Sequence, residues 1–325
     1  MKRLLTFLLT LSISSFSLAP LTSHAKTIFP DRPLKLMVGY APGGPADILA
    51  RLVAQGMSAK LGQPVIVENR PGAASSIAAG AVANAPPDGY TLLWGPSTPM
   101  VMNPVLRTNL GYNPTQDFTQ LGMIADMVLV LVANNSVEIQ SLSDLITQSK
   151  ANPKKFFYGT SGAGSAMNVA AEKLKFETGI NMDHVPFNGS APNLSALMGG
   201  DIQIASDLTV AVMPLILSGK IKPIAVMSAK RLEQLPNVPT VAETIPGFEF
   251  STFQAVQAPA NLPEPIKLKL EETLKAVVNT PEFKRKLIDL NFIPAYSDGA
   301  SAQARIEKEI ASYQIVAKQA NIKID

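Results

Sequence analysis

The sequence has 325 residues, 46% of them hydrophobic and 16% charged, with a formal net charge of +3 and no cysteine. A chain of this size buries ample core without disulfides and is expected to form two lobes rather than one. Its basic residues are scattered, which excludes a nucleic-acid partner, and no apolar run after residue 25 is long enough to span a bilayer.

Lys2 and Arg3 open the chain, Leu4 to Leu21 carries no charge, and Ser23-His24-Ala25 places small residues where a signal peptidase reads them. Residues 1–25 are therefore expected to be an export signal cut after Ala25. Thr10, Ser12, Ser14, Ser15, Ser17 and Pro20 dilute the apolar run, which argues against a retained anchor. Cleavage removes Lys2 and Arg3 and no acidic group, taking the formal net charge from +3 to +1. With no lipobox cysteine, the mature chain is expected free in the periplasm.

Leu34 to Tyr40 predicts a strand, followed by the turn Ala41-Pro42-Gly43-Gly44 and a helix over Pro45 to Leu61, where Leu49, Leu52, Val53 and Met57 recur at helical spacing. Val65 to Val67 is a second strand, a helix ends near Ala85, and Tyr90 to Trp94 is a third strand. This βαβαβ order implies parallel strands whose C-terminal loops share one edge. Gly111 to Asp126 is expected to separate this set from a second one. That set opens with Met127 to Ala133 and a helix start at Ser141. It continues with strand Phe156 to Tyr158, a helix from Ser165 to Thr178, strand His184 to Phe187, a helix over Ala191 to Met198, strand Ile202 to Ser206 and a helix from Leu208 to Ser218. Phe253 to Ala258 is the expected return, and three helices follow: Pro263 to Asn279, Pro281 to Leu290 and Ser301 to Ala320. The fold class is α/β. One lobe would comprise residues 26–126 plus 253–325 and the other residues 127–252, with the chain crossing near Ala125 to Val128 and again in the return.

Catalysis finds no support. His184 is the one histidine left after cleavage and sits at a strand start, where a hydrogen-bonded structural imidazole is expected. There is no G-x-S-x-G, H-E-x-x-H or P-loop, and Asp183, Asp201 and Asp207 are spread over different strand ends, so no metal, cofactor or enzymatic activity is expected. Binding is supported by two glycine turns, Tyr40 to Asp47 and Gly159 to Ser165, each leading from a strand into a helix. Glycine lets a ligand approach the backbone, and the first turn of a helix offers unpaired N–H groups and partial positive charge. Either turn alone is an ordinary βα connection; as a pair on separate lobes they suit an anion. The dipole term is worth about 0.3–2 kcal/mol per helix, whereas micromolar affinity needs about 8 kcal/mol, so direct and water-mediated hydrogen bonds and apolar burial must supply most of it. Asp47 is expected to cap its own turn, and Arg51 and Arg70 to be dispensable for binding.

Several motifs in order carry a resemblance. They are Phe29-Pro30-Asp31-Arg32-Pro33, Pro42-Gly43-Gly44 with Asp47, Glu68-Asn69-Arg70-Pro71-Gly72-Ala73, Pro87-Asp88-Gly89-Tyr90-Thr91-Leu92, His184-Val185-Pro186-Phe187, Gly199-Gly200 and Leu235-Pro236-Asn237-Val238-Pro239-Thr240. From about Phe29 to the C-terminus the chain resembles the substrate-binding proteins of tripartite tricarboxylate transporters, the Bug receptors. The resemblance implies a type II periplasmic-binding-protein fold, with two α/β lobes, a ligand cleft between them and two crossing strands. It also implies a small carboxylate ligand handed to a two-component membrane permease by a monomeric receptor. Carried over, the pinching segments are Tyr40 to Ala46, including Tyr40, Ala41, Gly43 and Ala46, and Ser161 to Asn168, including Ser161, Gly162, Ser165 and Asn168. Further contacts are implied for Ser97, Thr98, Asn188, Gly189, Ser190 and Asp207. The chain departs from the family pattern at Ala41, Pro45-Ala46, Ala74-Ser75, Pro96 and Leu208, which makes the first-lobe side less polar and suits a ligand with an apolar or aromatic body. A receptor that presents its closed form to a membrane sensor kinase would share the same binding chemistry.

Overall fold

A computed structural model describes residues 29–152 and 155–322; the export signal expected over residues 1–25 lies outside the described residues. Strands β1 (Leu34–Val38), β2 (Val65–Asn69) and β3 (Thr91–Trp94) are mutually parallel in the order β2-β1-β3, and helices α1 (Pro45–Leu61) and α2 (Ser76–Ala83) connect them. Pro45 starts α1 where a missing N–H costs nothing, and left-handed Gly62 stops it by donating to the Ser58 carbonyl. A short helix, α3 (Asn103–Leu106), follows one π turn at Thr98–Met102.

The segment expected to separate the two strand sets is itself mostly strand. β4 (Phe118–Ala133) is 16 residues long and almost continuously buried. Up to Val128 it pairs with β9 (Ser251–Pro259), and from Leu129 with β7 (Ile204–Leu208), so one strand belongs to both halves of the sheet. Thr119, Gln120 and Gly122 break any hydrophobic alternation at its start, and register shifts between Gln120 and Gly122 and between Met123 and Ala125 mark bulges. What makes it a strand is a partner more than a hundred residues away. β8 (Lys222–Val226) and β10 (Ile293–Asp298) were not anticipated either; each pairs antiparallel with β4, and Pro223 and Pro294 obscure their pattern.

The second half is built on β5 (Phe157–Thr160), β6 (Asp183–Pro186) and β7, parallel in the order β7-β5-β6. It carries α4 (Leu142–Ala151), α5 (Ala166–Thr178), α6 (Ser190–Gly199) and α7 (Thr209–Leu217). Ser141 and Ser165 cap α4 and α5 by accepting from the N–H groups of Asp144 and Asn168. The return strand β9 opens two residues before the expected Phe253, with Ser251 paired with Val128.

Helices α8 (Glu264–Val278) and α9 (Pro281–Asp289) pack with α1 against one face of the first half. The last helix, α10 (Gly299–Gln319), lies against β4, α3 and α5, so a single apolar cluster runs from Met37 and Leu93 through Ile306 and Tyr313 to Leu131 and Val169. Beside the crossing strands, Arg305 donates to Asp126 at 2.8 Å, Glu309 at 2.7 Å and Ser251 at 2.9 Å, and Tyr313 stacks on Phe250. No described helix is long and apolar enough to cross a membrane.

Candidate functional site

The C-terminal ends of β1 and β3 face those of β5 and β7 across a cleft of about 640 Å³ floored by the crossing strands. The first half lines it with Tyr40, Pro45, Ala46, Ala74, Pro96, Ser97, Thr98, Met102, Asn103 and Arg107, the second with Ser161 to Met167 and Leu208, and the crossing strands with Met127, Thr252, Phe253 and Gln254. Of the expected contacts, Tyr40, Ala46, Ser97, Thr98, Ser161, Gly162 and Ser165 come together here.

The others do not line it. Gly43 is occupied locally: its N–H donates to Asp47 Oδ2 at 2.9 Å, and Ala41 beside it faces solvent. Asn168 is buried under the second turn, accepting from the Gly164 N–H at 3.0 Å and donating to the Tyr158 hydroxyl at 3.1 Å. Asn188 and Gly189 sit behind Ser161, with the Gly189 N–H donating to the Ser161 carbonyl at 3.3 Å. Asp207 is fully buried and accepts from Ser190 Oγ at 2.7 Å, Asn193 Nδ2 at 3.0 Å and the Leu208 N–H at 2.8 Å, which ties Ser190 to the same internal group. The resemblance implies a ligand contact at Asp207; here it fastens β7 to α6, and burial raises its pKa above the usual range.

Asp47 behaves as a cap. It accepts from the Gly43 N–H, from Asn69 Nδ2 at 2.8 Å and from Arg51 Nε at 2.9 Å, and the Arg51 guanidinium foremost holds its carboxyl at about 2. Neither Arg51 nor Arg70 lines the cleft. Asp47 offsets the partial positive charge at the start of α1, while α5 has no acidic residue in its first turn. The two helix ends that looked equivalent in sequence are therefore electrostatically unequal, with the second-half turn the more attractive to an anion. His184 is structural in setting: its Nε2 is 2.7 Å from Thr160 Oγ1, its ring stacks on Tyr158 at 4.9 Å, and burial lowers its pKa.

On the first-half side many polar groups already serve the fold. Ser97 Oγ accepts from the Phe253 N–H at 2.7 Å, Gln254 Oε1 accepts from Trp94 Nε1 at 2.9 Å, and Asn103 Nδ2 donates to the Ala74 carbonyl and Ser76 Oγ at 2.9 and 2.8 Å. Burial pushes the Tyr40 hydroxyl, bonded to Thr98, up to about 12, so it stays protonated. Ala73, Ala74 and Ser75 at the rim all have positive φ, of 45°, 50° and 74°, a strained run that Asn103 clamps. Met127, Thr252, Gln254, Asn103 and Arg107 were missed by the sequence reading. Both crossing strands are buried almost throughout, so no alternation in their sequence marks the face that lines the cleft; only the pairing shows it. Among the described residues no group of His, Cys, Asp or Glu side chains could hold a metal ion.

Residues 49–322 match the model of the tripartite tricarboxylate transporter family receptor. An Agrobacterium vitis protein described as a UPF0065 protein of the TAR-I ttuE-ttuC' intergenic region is 35% identical over 97% of this chain and 90% of its own. Among solved structures, an R. palustris protein with adipate is 35% identical and superposes with a TM-score of 0.77, covering 91% of this chain and 99% of that one. MatC from Rhodopseudomonas palustris with bound malate is 29% identical, with a TM-score of 0.71 over 89% and 99% of the two chains.

Proposed function

The chain belongs to the tripartite tricarboxylate transporter receptor family, and from that premise we propose that it is a periplasmic receptor that captures a small carboxylate and delivers it to a two-component membrane permease, without catalysis. The observation that carries this reading is the cleft itself. Two sets of βα turns on opposite halves share it, no carboxylate side chain lines it among the described residues, and the α5 end keeps its positive character. The ligand carboxylate is assigned to the Ser161–Met167 turn, and its body to the apolar surface of Pro45, Ala46, Met102, Met127, Met167 and Leu208. Adipate and malate in the related structures are compatible in class with such a site. Residues 26–126 plus 253–325 and residues 127–252 are taken as the two lobes that close on it, with α10 packed against α3 of one and α5 of the other.

A thermal-shift screen of the cleaved protein against small carboxylates, with matched amides and sugars as controls, tests the proposal. A ligand at a hundred times its dissociation constant adds about 2.7 kcal/mol, which raises Tm by roughly 4 °C for a chain of this size. A shift with a neutral control and with no carboxylate would refute it.

A further inference from the structure

The turn that leads into α5 is held from behind by one imidazole. The sequence has two histidines, His24 in the expected export signal and His184, which follows Asp183 on β6 and pairs with Tyr158 of β5. On one side His184 Nε2 is 2.7 Å from Thr160 Oγ1. That hydroxyl, on a fully buried residue, meets both polar groups of Gly162: it accepts from the N–H at 3.3 Å and donates to the carbonyl at 3.1 Å. On the other side His184 Nδ1 is 3.5 Å from Asn168 Nδ2, and Asn168 Oδ1 accepts from the Gly164 N–H at 3.0 Å. A single ring therefore backs both glycines of the Ser161–Met167 turn, each through one intervening side chain, without itself lining the cleft.

We propose that His184 is a positioning residue for carboxylate capture, and that the receptor takes up a proton at this imidazole when a carboxylate settles on the turn. The inference rests on the assignment of the carboxylate to the Ser161–Met167 turn and adds a titratable group to it. The Thr160 hydroxyl has one proton to give. A neutral imidazole can accept it at Nε2, which leaves the Gly162 carbonyl to its other donors, the Ser165 hydroxyl at 2.7 Å and N–H at 3.2 Å. An imidazolium carries an N–H on both ring nitrogens, so Nε2 must donate and the Thr160 proton is committed to Gly162. The charged ring thus fixes the turn and sets a formal positive charge behind it, where α5 otherwise offers only its dipole. In the ligand-free protein that charge is resisted. Burial foremost lowers the His184 pKa, Glu172 opposes that, and Lys175 adds to it. Both face the ring from α5 and are bonded to each other at 2.9 Å, with Glu172 also accepting from the Tyr158 hydroxyl. Asp183 is exposed and, as the preceding strand residue, turns to the opposite face of β6. A proton on Nδ1 would also point at the Asn168 amide, a second donor. A carboxylate on the turn supplies the opposite charge that is missing, because Glu172 is already shared between Lys175 and Tyr158.

The test reads the ring directly. In the protein cleaved after Ala25 and carrying no histidine tag, His184 gives the one imidazole signal, so proton NMR from about pH 4.5 to 8 follows its titration without assignment. Adipate and malate are the probes, replaced by the carboxylate of largest thermal shift should neither bind. The titration midpoint should lie higher with saturating probe than without it. Calorimetry in two buffers of different ionisation enthalpy should show proton uptake in the same window. By reciprocity, wild-type affinity should rise several-fold to about tenfold as pH falls through it. His184→Gln, neutral at every pH and able to donate to Thr160, should lose the uptake and all pH dependence beyond the probe's own titration. Equal midpoints with and without a bound probe, a lower midpoint in the complex, or no titration in either state overturns the inference while leaving the carboxylate reading intact. Failure of every carboxylate in the screen to bind removes that reading, and the inference with it. Should His184→Gln melt far below wild type, the wild-type midpoints and proton uptake decide.

Discussion

Replacing Asp207 separates its role in the fold from a role in binding. Its carboxylate is fully buried and accepts three hydrogen bonds, from Ser190, Asn193 and Leu208. In Asp207→Ala all three donors lose their acceptor, and Asn193, itself fully buried, cannot turn to water. A lost bond to a charged group costs about 1.5–3 kcal/mol, partly offset here because Ser190 and Leu208 reach solvent and a buried charge is removed. The expected net loss is about 3 kcal/mol, or roughly 5 °C in Tm. Asp207→Asn should behave differently. Its carbonyl can keep Ser190 and Leu208, and Asn193 Oδ1, buried without a partner, can accept from the new amide after Asn193 turns over. That variant should lie within about 1 kcal/mol of wild type, since no bond is lost in number. The pH dependence follows with a definite sign. Burial raises the folded pKa of Asp207, so as pH rises from about 4 the unfolded chain ionises first and native stability falls until the folded value is passed. Asp207→Asn lacks that loss, so its stability relative to wild type should improve as pH rises through the window. Both variants should retain ligand affinity where folded, because Asp207 does not line the cleft. Thermal and urea melts of ligand-free protein across pH decide. An Asp207→Ala melt equal to wild type together with lost affinity would refute the reasoning and restore Asp207 as a ligand contact.

Two further outcomes are expected. Trp94 is the single tryptophan and is fully buried, with its Nε1 bonded to the cleft residue Gln254, so ligand binding should change its emission and Gln254→Met should abolish the change without abolishing binding; emission that stays constant on saturation with a proven ligand would contradict the link. Ala74→Gly and Ser75→Gly should each raise Tm, because a left-handed non-glycine residue costs about 1–2 kcal/mol, less the added freedom of glycine when unfolded; lower melting points in both would show that the rim is not strained.

The sequence was informative wherever structure is local. The α1 start at Pro45 and stop before Gly62, the Ser141 and Ser165 caps, the parallel βαβ order and the family motifs depend on residues close in the chain, where dihedral preference and helical spacing act without distant partners. Membership of the family, with the fold class that follows, was legible from those motifs. Tertiary structure alone decided that Phe118 to Ala125 is strand, since its ladder to β9 and β10 exists only after the chain has returned. It also decided which further polar residues face the cleft, beyond Tyr40, Ser97, Thr98, Ser161 and Ser165, which the family motifs implied. The family motifs implied Asp207 as a ligand contact, yet three donors from neighbouring segments turn it inward. A side chain's burial depends on neighbours far away in sequence, and short-range pattern carries no information about them.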